Sequence, residues 1–283
     1  MDEQDISKKQ RVKDFFDGDA DDYLKYKYQD NQSSYMYLRQ KEVIECLKKC
    51  ILATAKNKIE MLDAGCGPGL LIEALHEYDI HYNGLDLSEN MLKLAKGHFS
   101  HAYSIGTPRL MRADIENIPL KSNSLDLVVS LGVIEYLEKD KKALSEFYRI
   151  LKPNGYFLTV VTNKYSYNLC LDSIIEVMKK IRSIRQFMSL LKIKLKMGEI
   201  KPREFAIRKH SPFQFQNDLT QCKFKLLHDK FIGFNALPYP LHIFLGRANA
   251  SIAQLFDRIG DSNLKVIGEG YLVLCQKLPK ELV

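Results

Sequence analysis

From residue 58 to residue 161 the chain alternates strand-like and helix-like stretches joined by short links, and this rhythm constrains the fold more than any other feature. The strand candidates are KIEMLDA (58–64), DIHYNGLDL (79–87), PRLMRAD (108–114), LDLVVSL (125–131) and GYFLTVV (155–161). Helices are predicted at about 69–77, 88–98 and 134–151. Such alternation implies a mostly parallel sheet covered by helices on both faces. Sheets of this kind bind ligands outside the carboxyl ends of their strands. That is where LDAGCGPG (62–69) sits, directly after the first strand.

Upstream, residues 20–55 place Tyr23, Tyr26, Tyr35, Leu38, Val43, Ile44, Leu47 and Ile51 at helical spacing, interrupted by QDNQSS. Downstream of 161 the alternation stops. Residues 165–197 are predicted to form one or two helices, with Ile174, Met178, Ile181, Ile184, Met188, Leu191 and Leu195 stepping by three or four. Ser211 and Pro212 read as the N-cap and first position of another helix. KFKLLHDKFIGF and GEGYLVLCQKL then read as closing strands around a helix near 240–259. The predicted organisation is a helical cap (1–55), a core (56–164), a basic helical insertion (165–210) and a segment that completes the core sheet (211–283).

The chain has 283 residues, 46% of them hydrophobic, enough for a substantial core. Met1 to Lys9 is polar, and no stretch approaches eighteen apolar residues, which argues against export and against membrane spanning. Six cysteines at 46, 50, 66, 170, 222 and 275 include no C-x-x-C pair, so free thiols in a reducing, cytoplasmic setting are expected. Net charge is +7. Eleven Lys and Arg against four acids between Cys170 and His210 account for all of it, so an anionic partner should meet this segment.

The glycine loop reads G-x-G-x-G at Gly65, Gly67 and Gly69. Alone it could be a tight strand-to-helix turn. Two acids sharpen it: Asp63 stands two residues before the first glycine, and Asp86 ends the next strand, where a carboxylate can accept both hydroxyls of a ribose. NAD, FAD and S-adenosylmethionine all carry a ribose. An acid beside the loop repels a pyrophosphate but suits an ammonium group, so Asp63 favours S-adenosylmethionine.

Five blocks in order over residues 35–161 resemble the class I S-adenosylmethionine-dependent methyltransferases, of the type 11 and ubiquinone-pathway O-methyltransferase kind: EMLDAGCGPG, GLDLSENML, RADIENIPL, SLDLVVSLGVIEYL and RILKPNGYFLTV. The resemblance implies a Rossmann-like seven-stranded sheet, mostly parallel with an antiparallel last strand, with an N-terminal helical cap and a helical insertion after strand 5. It also implies roles. Gly65, Cys66, Gly67 and Gly69 would line the methionine moiety, Asp63 would orient its amino acid end, and Arg39 would pair with its carboxylate. Asp86 would hold the ribose, Leu87 and Met91 would pack on adenine, and Asp114 would accept from the adenine amino group with Ile115 against the ring. Ser130 and Leu131 would close the pocket.

The activity so implied is methyl transfer to a small-molecule or lipid-like acceptor, chiefly to oxygen. The ubiquinone-pathway enzymes carry Glu-x-x-Glu-His after the fourth strand, associated with a divalent metal. Here Gly132, Glu135 and Tyr136 stand at those positions, so one of three ligands is kept and no metal is expected. Tyr136 and His210 are the candidates for acid–base work, with His242 as a further histidine. The 165–210 insertion reads either as an amphipathic lid on an anionic membrane surface or as a cap helix with a solvated basic face. Two alternatives are a nucleic-acid methyltransferase and a cofactor-binding protein without turnover. The first lacks N-P-P-Y, D-P-P-Y or a P-C nucleophile after the fourth strand. The intact first two motifs argue against the second.

Overall fold

Fully buried apolar strands need cover on both faces, and the computed structural model shows how this chain provides it, describing residues 8–18, 20, 35–99, 108–167, 181, 205–233 and 266–279. The strands are β1 (Ile59–Ala64), β2 (Ile80–Asp86), β3 (Arg109–Arg112), β4 (Leu125–Leu131), β5 (Leu151–Thr162), β6 (Phe224–Ile232) and β7 (Gly270–Lys277). They form one sheet in the order β3-β2-β1-β4-β5-β7-β6. β1 to β5 pair in parallel, and β7 lies antiparallel between β5 and β6. The expected mostly parallel seven-stranded architecture is what forms, and residues after 210 complete it.

Strand parity divides the core in two. Leu62, Val128 and Phe157 point to the face covered by α5 (Lys141–Ile150) and α6 (Pro212–Gln221). There Leu144, Phe147, Phe215 and Leu219 are buried against them. Met61, Leu127, Val129 and Leu158 point the other way, against Val43, Leu47 and Ile51 of α2 (Tyr35–Thr54) and Leu71 of α3 (Leu70–Ala74). Ala95 of α4 (Glu89–Phe99) joins that second layer. Each fully buried Leu or Phe contributes about 1.5–3 kcal/mol, so these two layers carry most of the hydrophobic stabilisation. A further helix, α1, occupies 8–18. The five cysteines among the described residues are free thiols.

Several boundaries differ from the sequence expectation. The predicted helix over 134–151 is two elements, a 3₁₀ turn (Ile134–Tyr136) and then α5. Leu137 leaves the first in extended backbone. Its carbonyl and that of Glu138 accept from Lys8 Nζ at 3.5 Å and Arg208 Nη1 at 2.7 Å, long-range donors that replace the helical ones. β3 ends at Arg112, with the Ala113 amide making the last bond of its pairing with β2, to the Asp86 carbonyl at 3.2 Å. Ser211 caps α6 as expected by position, with Pro212 in the first turn, though its hydroxyl meets Tyr165 rather than the helix. The helices expected within 165–197 and near 240–259, and Tyr23, Tyr26 and His242, lie outside the described residues save for 165–167 and 181. Among the described residues no helix is long and apolar enough to cross a membrane.

Candidate functional site

The pocket forms where β1, β2 and β4 end. After Ala64 the backbone turns sharply, with φ of +80° at Gly65, +53° at Gly67 and +78° at Gly69. The Gly65 and Cys66 amides both donate to the Leu85 carbonyl, at 2.7 and 3.0 Å, pinning the loop onto β2. A Cβ on Gly65 would lie 2.3 Å from Val133 Cγ2, so glycine here lets the loop and the turn after β4 close on each other.

Asp86, half-buried at the end of β2, braces the loop. Its Oδ2 accepts the Gly67 amide and its Oδ1 the Ser88 amide, both at 2.9 Å. Burial pushes its pKa up, while those amides act to hold it down. Ser88 caps α4, accepting the Met91 amide at 3.1 Å, which sets Met91 and Leu87 on one wall. Ala113, Asp114 and Ile115, which follow β3, line the same pocket. Asp114 Oδ1 accepts the Glu116 amide at 2.9 Å, which turns the chain and leaves Oδ2 toward Lys9 Nζ at 2.7 Å.

Of the residues expected to hold a cofactor, Gly65, Gly67, Asp86, Leu87, Met91, Asp114, Ile115 and Leu131 line this pocket together, and Tyr136 stands on its rim. Five others stand behind the lining. Asp63 is buried and accepts the Tyr82 hydroxyl at 2.8 Å. Burial pushes its carboxyl up to about 7, opposed by that hydroxyl and by Arg39, and reinforced by Asp86. Arg39 Nη1 comes to 2.9 Å from where a Gly132 side chain would begin. Gly69 closes the turn by donating to the Cys66 carbonyl. The Cys66 thiol is buried under the loop against Gly84, and burial raises its pKa. Ser130 is wholly buried in the sheet, its carbonyl accepting the Thr159 hydroxyl. Leu131 reaches the pocket because it has the opposite parity.

His210 is elsewhere. It is buried beyond β5, where its amide donates to the Thr162 carbonyl and its Nε2 lies 2.9 Å from Arg208 and 3.2 Å from Asp140. Its ring packs edge-on against Phe215. Glu135, buried beside Gly132, accepts the Thr162 hydroxyl at 3.1 Å and ties the turn after β4 to the end of β5. Tyr136 instead belongs to an aromatic group with Phe16 and Phe205 at the pocket rim. Among the described residues no cluster of three or more His, Cys, Asp or Glu is arranged for a metal ion.

Sequence reasoning missed the pocket's roof. Lys9, Val12, Lys13 and Phe16 of α1 line it, spaced by three or four on one helical face. That spacing was the available signal.

Residues 62–159 match the family model described as a methyltransferase domain. A malonyl-acyl-carrier-protein O-methyltransferase of Pectobacterium atrosepticum is 34% identical over 104 residues, which are 37% of this chain and 39% of that protein. A ubiquinone/menaquinone biosynthesis C-methyltransferase of Campylobacter jejuni is 32% identical over 117 residues, 38% of this chain and 47% of that one. The matches thus span about two fifths to a half of these relatives. Among solved structures, the magnesium protoporphyrin IX methyltransferase of Synechocystis PCC 6803 with bound SAH superposes with a TM-score of 0.63 at 15% identity, covering 95% of this chain and 99% of that one. A 4+2 cyclase superposes at 0.52 with 14% identity, covering 83% and 81%. At such identities the likeness is one of fold, and the cyclase shows that the fold alone does not set the reaction.

Proposed function

Because residues 62–159 match the methyltransferase-domain model, we propose that the chain is an S-adenosylmethionine-dependent methyltransferase acting on a small acceptor. The observation that carries the reading is Asp86, a carboxylate held by two backbone amides in a pocket that Leu85, Leu87, Met91, Ile115 and Val133 also line.

The residues present fit the cofactor. Asp86 offers its remaining lone pairs to a vicinal diol such as the ribose of S-adenosylmethionine presents. Met91, Leu87 and Ile115 offer flat apolar walls for a purine, with Asp114 at the edge to accept an exocyclic amino group. Asp63 supplies negative charge, and Arg39 positive charge, behind the loop where a zwitterionic amino acid would lie. When bound, the cofactor supplies a sulfonium-linked electrophilic methyl group. The chain's own work is to hold the acceptor in line with it and exclude water, because positioning supplies much of the acceleration for a displacement of this kind.

The acceptor atom in this reading is an oxygen that arrives ionised, such as a carboxylate. Among the described pocket residues the titratable side chains are Asp86 and Asp114, held by amides or Lys9, Lys9 and Lys13, each paired with an acid, and Tyr136. A tyrosine has an ordinary pKa of about 10 and is a weak base at neutral pH. An already anionic oxygen needs none. The family relative that methylates oxygen agrees with this reading; the one that methylates carbon is the competing case. Incubating the protein and methyl-labelled cofactor with cell extract tests it. A labelled product that releases methanol in mild alkali supports a methyl ester, and alkali-stable label would exclude a carboxylate acceptor.

A further inference from the structure

We propose that helix α1 is a two-point latch over the nucleoside pocket, fastened by Lys9 at the adenine end and by Asp17 at the ribose end, which must open for the cofactor to exchange. The inference rests on the cofactor reading above. One face of α1 lines the pocket, with Lys9, Val12 and Phe16 directed into it. At one end Lys9 Nζ donates to Asp114 Oδ2 at 2.7 Å and to Glu116, with the lysine and Glu116 13% and 7% exposed. At the other, the Asp17 carboxylate accepts the Ser88 hydroxyl at 2.6 Å and the Asn90 amide at 3.2 Å, while its carbonyl accepts from the Asn90 side chain at 3.0 Å. Asp17 thereby also meets the first turn of α4, where a carboxylate is favoured.

These two fastenings fall on separate core elements that line the nucleoside pocket, the loop after β3 and the start of α4, while Lys8 ties the first turn of α1 to Glu138 at 2.8 Å and to the Leu137 carbonyl. With both made, α1 lies across the pocket's mouth. The fastening is an ion pair at Lys9 and hydrogen bonds to neutral donors at Asp17, and a single short helix held in this way can open locally at a free energy below that of global unfolding. Asp114 is shared: the carboxylate that holds Lys9 also forms the pocket wall. Latch and ligand therefore meet at one side chain, and this sets α1 apart from a helix that merely packs nearby.

The test compares the full chain with Lys9→Gln, Glu116→Gln and Asp17→Asn. Glu116 and Asp17 do not line the pocket, so their effects report the latch and not direct ligand contact. Protein loaded with labelled S-adenosylmethionine is chased with excess unlabelled S-adenosylhomocysteine, and release is followed by rapid filtration. Losing one charge-assisted bond of this kind should speed release by about tenfold. Release at the wild-type rate in all three variants overturns the proposal. In parallel, amide hydrogen exchange without ligand should quicken over residues 8–18 in the variants while the strands stay protected, and unchanged exchange there also overturns it. A wild-type chain that takes up no S-adenosylmethionine would sink the cofactor reading, and the exchange experiment would still decide whether the latch exists.

Discussion

The Gly67 amide donates to Asp86 Oδ2 at 2.9 Å, joining the glycine loop after β1 to the last residue of β2. The same carboxylate accepts the Ser88 amide, so one side chain fixes a loop and the approach to a helix. Both bonds consume backbone donors that a turn of this shape would otherwise leave unsatisfied. Asp86 is thus positioned before any ligand arrives, and a site held this way binds with less loss of conformational freedom.

Gly65→Ala tests how closely the loop must approach the turn after β4. The substitution places a residue at φ +80° and a Cβ 2.3 Å from Val133 Cγ2. The left-handed backbone alone costs about 1–3 kcal/mol, and the clash adds to it. The urea midpoint should fall accordingly. Adding Val133→Ala should restore only the part due to the clash. An unchanged midpoint in the single variant would show that the two segments are not in contact.

Asp63 should make both stability and affinity depend on pH. Its folded value of about 7, raised chiefly by burial, lies above its ordinary 3.8. Between those values the folded chain holds a proton that the unfolded chain has lost. Its contribution to stability therefore falls as pH rises through that window, by up to about 1.4 kcal/mol per pH unit. Asp63→Asn removes this slope, so the variant should gain on the wild type from acid to neutral pH in denaturant titrations. Affinity runs the other way, because an ammonium group needs the ionised form, so cofactor binding should tighten as pH rises toward neutrality. Tyr82→Phe deletes the hydroxyl that favours the carboxylate and should move that rise to higher pH.

His210 should prove structural. It is buried among Asp140, Arg208 and Phe215 and does not line the pocket. His210→Asn should lower the unfolding free energy by about 1–3 kcal/mol, as expected for a disturbed buried polar group. Its kcat should stay near that of the wild type. A fall in kcat of about a hundredfold without loss of stability would return the residue to acid–base duty.

The sheet was legible because parallel strands buried on both faces leave nearly continuous apolar runs. LDLVVSL and the stretch around IEMLDA announce themselves, and the glycine loop follows the first of the strands. Asp86, Asp114, Met91 and Ile115 could be placed on the pocket because Asp86 ends β2 and the others follow a strand in a recognisable block. What was hidden depends on partners far away in sequence. The helix break at Leu137 is stabilised by Lys8 and Arg208, and nothing local marks it. Lys9 reaches Asp114 across 105 positions, so a terminus that reads as merely polar becomes the roof of the pocket. Ser130 shows the limit of transferring a block whole, since its strand parity turns it into the sheet while its neighbour Leu131 faces the pocket.

Isothermal titration of the full chain with S-adenosylhomocysteine, side by side with Asp86→Ala, tests the central claim most directly. The wild type should give saturable one-to-one binding, and the variant, still unfolding cooperatively though at a lower temperature for the loss of the Gly67 and Ser88 bonds, should give none. No binding by the wild type, or equal affinity in the two proteins, would contradict the assignment of this pocket to the cofactor.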